Sequence, residues 1–234
     1  MKQIKKILII LAALILGFII GLNINKQSQT AISQLQVLPK PEVTGGERGT
    51  LGIDKNINES TIDNYLGQKD AVYMDMRMLK DPGNYEAIGG DSYLSGFIKG
   101  FEVLPLPYII PITNLPESVG KTYEGKTLFK LDKNNNYIAN YEESLDILEY
   151  YFPKDKYIFL MCGGGGYAGM TKNLLISLGW YEDKIYNIGG YWYYNGLNNV
   201  EVKRTIGDKT YYDFWKVNYH NIDFSALHEV KSEK

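Results

Sequence analysis

One segment of the chain, "YIFLMCGGGGYAGMTKNLLISLGW" (157–180), places the only cysteine, Cys162, between an apolar run and four glycines. A single cysteine is either a small buried apolar side chain or a reactive thiol, and its thiolate form is the nucleophile. Consecutive glycines can adopt positive φ, which lets several backbone N–H groups turn towards one anion. The pattern leaves two alternatives: a nucleophilic thiolate held by backbone amides, or a structural cysteine in a glycine-rich turn.

The elements around this cysteine are predicted by their hydrophobic spacing. "KYIFLMC" has the composition of a buried strand, "AGMTKNLLISLG" that of a helix with Gly179 as its C-terminal cap, and "KIYNI" that of the next strand. Ligands of parallel α/β sheets bind beyond the carboxyl ends of the strands, where helix N-termini add partial positive charge. We therefore expect Cys162 at the ligand-binding edge, with the pKa of its thiol below the ordinary value.

Further strands and helices alternate along the chain. "AVYMDMR" predicts a buried strand ending near Asp75 and Arg77, "KTLFKLDKNNNYIANY" a hairpin, and "EESLDILEYYF" a helix stopped by Pro153. The tail predicts a hairpin around Gly207 and then a short helix capped by Asp223. This alternation predicts an α/β fold, a single domain with a mainly parallel sheet flanked by helices.

The N-terminus carries an uncharged apolar segment, "ILIILAALILGFIIGL" (7–22), preceded by lysines. As a helix it would be about 24 Å long, near the thickness of a bilayer core. It favours an uncleaved membrane anchor with a cytoplasmic N-terminus, and a cleaved signal peptide is the alternative. Either way, we expect the remainder outside the cytoplasmic membrane, secreted if the segment is cleaved. The expected organisation is anchor or signal peptide 1–25, flexible tether 26–50, α/β domain 51–200 and a C-terminal extension 201–234 packed on the domain.

Net charge and the remaining motifs restrict the classes of partner, metal and cofactor that the domain is expected to bind. The net charge is −2 and several of the lysines precede the apolar segment, which argues against nucleic acid as a partner of the domain. The sequence predicts no metal or cofactor: the segment 132–143 has oxygen side chains spaced like a calcium loop, but Tyr137 stands where that loop needs glycine. His220 and His228 lie in the tail, and a Cys–His pair would require one of them to fold back onto Cys162.

Several motifs together resemble the rhodanese family over about residues 58–198. Cys162 is followed by five loop residues and a helix, and "YMDMR" matches a strand ending in Asp-x-Arg. "SGFIKGFEVLP" resembles the family's Gly-His-Ile-Pro-Gly-Ala segment, and "LLISLGW…KIYNIGGYWYY" resembles its helix, Leu-Gly, strand and Gly-Gly ending. All of these motifs occur in the family's order along the chain. The aromatic segment 190–196 follows the last sheet strand and leaves two alternatives: packing in the core, which is the default for such residues, or a place at the mouth of the active site.

This resemblance implies a sulfurtransferase. Cys162 would take sulfane sulfur from a small donor as a persulfide and pass it to a thiol or other nucleophilic acceptor. Asp75 and Arg77 would either shape the floor of the site or form a structural ion pair. The loop residues implied to bind the sulfur anion are Gly163, Gly164, Gly165, Gly166, Tyr167 and Ala168. The alternative is a catalytically quiet rhodanese-like binding module for a protein partner.

The positions at which this chain differs from the rhodanese pattern also predict which substrates it uses. Many members have basic residues where this chain has Gly163 and Tyr167, so the loop offers amides but no cation. Thiosulfate is then expected to be a poor donor, and an organic persulfide a better one. Ala168 occupies the position where related cysteine phosphatases carry an arginine, which argues against phosphatase activity.

Overall fold

A computed structural model describes residues 37–113 and 115–231, with a compact unit that begins at Pro39. The predicted anchor, residues 1–25, and residues 26–36 of the predicted tether lie outside the described residues. No helix among the described residues has the length and apolar character needed to cross a membrane. The strands are β1 Ala71–Asp75, β2 Gly96–Ile98, β3 Glu102–Val103, β4 Phe129–Leu131, β5 Tyr137–Ala139, β6 Tyr157–Cys162, β7 Ile185–Gly190, β8 Asn199–Glu201, β9 Lys203–Ile206 and β10 Lys209–Tyr212. The α-helices are α1 Leu106–Ile109, α2 Ser144–Tyr151 and α3 Gly166–Ser177.

The central sheet has four parallel strands in the order β3–β1–β6–β7. Asp75 at the end of β1 pairs with Met161, so β6 reaches one residue further and ends at Cys162. The residues of β6 from Ile158 onwards are all buried, which explains its continuous apolar composition. The predicted mixed α/β class with a parallel sheet is confirmed, although few helices flank the sheet.

Helix α3 packs against β6 and β7 and directs its N-terminus at the end of β6. It ends as predicted: Gly179, with φ of 97°, donates its N–H to the Ile176 carbonyl at 3.0 Å. Behind the helix, the indole N–H of Trp180 donates to the Phe152 carbonyl at 2.6 Å. These contacts fix the position of α3 and therefore of the loop before it.

In the part of the chain that the structure describes, three antiparallel strand pairs lie outside the central sheet: β4–β5, β2–β8 and β9–β10. Both predicted hairpins are confirmed, the first around a turn in which Asp132 accepts the backbone N–H groups of Asn134 and Asn136. The predicted short helix after Asp223 is wrong. The Asp223 carboxylate instead accepts the backbone N–H and hydroxyl of Ser225, so this side chain stabilises a local turn rather than a helix start.

Residues 39–54, which we call the N-terminal arm, pack on the domain. The Tyr186 hydroxyl on β7 donates to the Pro39 carbonyl at 2.7 Å, and Val43 forms a bridge with Asp54. The buried side chain of Asn187 on β7 donates both to the arm, at the Leu51 carbonyl (2.8 Å), and to the loop, at the Gly165 carbonyl (3.1 Å). Residues 39–50, placed in the tether by the sequence analysis, are thus part of the compact unit.

Candidate functional site

The sulfur of Cys162 lies at the end of β6 and contacts the loop that follows. The backbone N–H of Gly165 donates to its Sγ at 3.1 Å. Gly165 has φ of 106°, a conformation that a side chain would strain, and it directly precedes the first residue of α3. The N–H groups of Gly165, Tyr167 and Ala168, which we call the amide cradle, act on the sulfur and stabilise its anionic form.

The other glycines have different roles. A Cβ on Gly163 would lie 2.3 Å from Cζ2 of Trp192, so this glycine is required by the close approach of the indole ring. Gly164 presents its carbonyl to Nη2 of Arg48 at 3.5 Å. A Cβ on Gly166 would meet open space. Only part of the predicted glycine cradle therefore surrounds the sulfur, and the rest makes room for other parts of the chain.

Burial raises the pKa of the Cys162 thiol above its ordinary value. The side chain is only 4% exposed, and the nearby Asp75 carboxylate raises the pKa further. The amide cradle lowers the pKa, but burial and the Asp75 carboxylate together outweigh it. The expectation of a depressed pKa is wrong because the sequence does not reveal that the chain covers the end of β6.

Cys162 opens into a cavity of about 540 Å³, a size suited to a small organic molecule. Gly163, Gly164, Gly166 and Tyr167 form the side nearest the sulfur. Much of the remaining lining is aromatic and aliphatic, formed by Met78, Tyr85, Ile88, Tyr93, Met170 and Trp192. Of the aromatic segment 190–196, Trp192 and Tyr193 line the cavity, which is the less favoured of the two alternatives that the sequence left open.

Asp75 and Arg77 form a buried ion pair beside the cavity. Nε and Nη2 of Arg77 donate to the two carboxylate oxygens at 3.0 and 2.6 Å, and Nη2 also donates to the Gly96 carbonyl at 2.7 Å. Arg77 lines the cavity, while Asp75 is fully buried behind it. Nη1 of Arg77 is buried without a hydrogen-bond partner among the described residues. Asp75 and Arg77 therefore form the structural ion pair that was one of the two alternatives, and Arg77 also lines the cavity.

The Tyr167 side chain belongs to a buried polar cluster. Its hydroxyl donates to Asp81 at 2.8 Å and contacts the hydroxyls of Tyr85 and Thr122. Burial and the Asp81 carboxylate raise the pKa of Tyr167 and of Tyr85, so both remain neutral donors at physiological pH. Tyr167 therefore contributes a backbone amide to the sulfur and uses its side chain to hold the cavity wall.

Sequence reasoning missed Arg48, which the N-terminal arm brings to the cavity. Its Nη1 donates to the Glu59 carboxylate at 2.6 Å, and its guanidinium lies 3.7 Å from the centre of the Tyr193 ring. No local pattern marks this residue, because it stands in a polar segment and reaches the site only through packing of the arm. The loop lacks its own cation, as predicted, but the cavity contains two arginines.

Neither histidine lies near the sulfur. His220 pairs with Glu102 at 2.7 Å, and His228 pairs with Glu143. Neither is among the residues that line the cavity. A Cys–His nucleophilic pair is thereby excluded for Cys162.

Comparison of the chain with protein-family models, with curated proteins and with solved structures found no match. The site therefore has to be interpreted from its own geometry.

Proposed function

We propose that this protein is a rhodanese-type sulfurtransferase that carries sulfane sulfur on Cys162. One observation carries the proposal: the Gly165 N–H donates to a cysteine sulfur at the carboxyl end of a parallel strand, where it opens into a cavity of about 540 Å³. A sulfur with amide donors and room for a ligand is arranged for covalent chemistry rather than for core packing alone. The motif resemblance over residues 58–198 supports the same function.

The reaction proceeds in two transfers. Cys162 first loses its proton, and its thiolate attacks the outer sulfur of an organic persulfide donor. The new S–S bond forms as the donor's own S–S bond breaks, and the donor leaves as a thiolate that takes up a proton. An acceptor thiolate then attacks the outer sulfur of the Cys162 persulfide and regenerates the Cys162 thiolate. The amide cradle stabilises the anionic sulfur at each stage.

The raised pKa of Cys162 governs the rate of the first step. At neutral pH most molecules hold the protonated thiol, so sulfur loading should accelerate as the pH rises. The position of the domain outside the cytoplasmic membrane is part of the proposal and rests on the apolar segment 7–22. Access of external protease to the domain in intact cells tests that position.

The test is to expose the full-length chain to organic persulfides and to thiosulfate, and to measure its mass. We expect the wild-type chain to gain one sulfur atom, lost again when a thiol acceptor is added. Cys162→Ser should gain none, with an unchanged circular dichroism spectrum as evidence of folding. Absence of loading from every donor, or equal loading of Cys162→Ser, would overturn the proposal.

A binding module for a protein partner is the second candidate. The observation that favours it is the burial of Cys162, because a buried and protonated thiol is a poor nucleophile. In that case no donor would load Cys162, and Cys162→Ser would retain every property of the wild type. The sulfur-loading measurement therefore separates the two candidates.

A further inference from the structure

Three buried N–H groups at the cavity have no hydrogen-bond partner among the described residues. They are Nε of Arg48, Nη1 of Arg77 and Nε1 of Trp192, and all three residues line the cavity that Cys162 shares. The Arg77 side chain is only 8% exposed. Buried polar groups in folded proteins are nearly always hydrogen-bonded, so three such donors around one cavity point to acceptor atoms of a ligand.

The charges around the cavity decide what kind of acceptor fits. Each arginine is already paired with a carboxylate, Arg48 with Glu59 and Arg77 with Asp75. Further carboxylates of the lining are Glu47, Asp81 and Asp91, of which Asp91 lies 3.8 Å from Lys203. The cavity therefore offers N–H donors in an environment with no surplus of positive charge. An anionic ligand would add negative charge beside these carboxylates, whereas a neutral carbonyl oxygen would not.

The side chains that form the cavity walls indicate the chemical character and size of the rest of the ligand. Tyr85, Tyr93 and Trp192 present aromatic surface, and Met78 and Met170 add flexible apolar side chains. The volume of about 540 Å³ is far larger than an inorganic sulfur compound needs. Apolar walls with a few convergent donors are typical of sites for small organic molecules.

We propose that this cavity binds a small uncharged organic molecule with amide carbonyl oxygens, which accept the N–H groups of Arg48, Arg77 and Trp192. This proposal rests on the proposed function in one respect only: the bound molecule is taken to be the sulfur donor or acceptor. Its thiol or persulfide end then lies towards Cys162 and its amide end towards the arginines. Trp192 and Arg48 are specificity-determining residues, and neither belongs to the loop that follows the cysteine.

The test uses full-length Cys162→Ala protein, so that binding is measured without sulfur chemistry. Three probes are compared: N-acetylcysteinamide, N-acetylcysteine, which differs by one carboxylate, and thiosulfate. With ¹⁵N-labelled tryptophan, the Trp192 indole resonance, assigned with Trp192→Phe, should move on addition of the amide. The carboxylate should bind about tenfold more weakly or worse, and thiosulfate should not saturate the site.

Variants test the donors themselves. Trp192→Phe keeps an aromatic wall without the N–H and should weaken amide binding about fivefold, as measured by calorimetry. Arg48→Lys keeps the charge opposite Glu59 without Nε and should also weaken it several-fold. The matched control is Trp215→Phe, because Trp215 is 80% exposed and outside the cavity, and it should leave affinity unchanged.

Each result bears on the proposal. Equal or tighter binding of the carboxylate or of thiosulfate, or an amide affinity unaffected by Trp192→Phe and Arg48→Lys, would overturn it. If the amide fails to bind while the wild-type chain still loads sulfur, the ligand class is wrong and the proposed function stands. If the amide binds but no donor loads Cys162, the subsite stands and sulfur transfer is lost.

Discussion

The two sides of the cavity are built in different ways. The floor, residues 162–168, is one continuous stretch of chain that acts on the sulfur through backbone N–H groups. The wall combines Arg48, Arg77 and Trp192, which come from three distant segments and act through side chains. The floor depends on backbone conformation, whereas the wall depends on buried ion pairs and on packing of the arm.

The two sides stabilise charge by different means. Backbone amides carry no net charge and do not titrate, so the floor can stabilise a sulfur anion at any pH. The wall contains cations, but Asp75 and Glu59 neutralise them. The wall is therefore expected to be the more fragile side, since removal of one partner leaves a buried charge uncompensated. Four measurements test this comparison.

The largest loss of stability is expected from Asp75→Asn in the wall. Asp75 is fully buried and Arg77 nearly so, and the substitution leaves the guanidinium without its counter-charge. We expect a decrease of about 3–5 kcal/mol in the free energy of unfolding, measured by denaturant titration. The control Glu149→Gln removes a partly exposed pair with Lys154 and should cost about 1 kcal/mol or less. Similar losses for both variants would show that the Asp75–Arg77 pair is not special.

A smaller loss is expected from Gly165→Ala in the floor. The backbone at Gly165 has φ of 106°, and the new Cβ would lie 3.0 Å from Cδ1 of Ile53. We expect a decrease of about 1–3 kcal/mol by the same titration. The neighbouring Gly166→Ala is a matched control, because its Cβ meets open space, and it should be neutral or slightly stabilising. If the two alanines had equal effects, positive φ at Gly165 would not be what shapes the floor.

Tyr167→Phe tests the cluster that joins floor to wall. The substitution removes one donor from Asp81, which keeps hydrogen bonds from Thr122 and from the Gly83 N–H. We expect a loss of about 1–2 kcal/mol in thermal or denaturant unfolding. Tyr150→Phe, at a side chain that is 78% exposed, should change stability by less than about 0.5 kcal/mol. An unchanged stability in Tyr167→Phe would show that this polar cluster does not stabilise the fold.

The smallest effect concerns the titration of Cys162 itself. Burial raises the pKa of its thiol, so the alkylation rate of the folded chain should reach its midpoint above the ordinary value of 9.0. The same chain in denaturant supplies the control and should show the ordinary midpoint. Since the folded state then holds its proton more tightly, stability relative to Cys162→Ala should fall as the pH rises through the unfolded and then the folded pKa. A folded midpoint at or below the denatured one would mean that the amide cradle outweighs burial.

The strand β6, the helix α3 and the strand β7 could all be predicted, because each has the spacing of its own secondary structure. The predicted start of α3 is wrong by two residues: the helix begins at Gly166 rather than at Ala168, so the loop after Cys162 has three residues rather than five. The two hairpins could also be predicted, from their turn residues. The short helix after Asp223 was not, since an Asp followed by Ser supports a local turn as readily as a helix start. The inclusion of residues 39–50 in the compact unit was also missed, because polar side chains of the arm hide contacts that the backbone and Asn187 make.

The floor of the site could be predicted from the order of residues alone: a cysteine at a strand end, glycines that permit the turn, and a helix whose amides face the sulfur. These features follow from neighbours in the chain, for which spacing and conformational preference are sufficient. The protonation of Cys162 and the presence of Arg48, Arg77 and Trp192 at one cavity could not be predicted in this way, because both depend on the packing of the fold. Burial and charge pairing depend on groups far apart in sequence, so they exist only once distant segments have packed together.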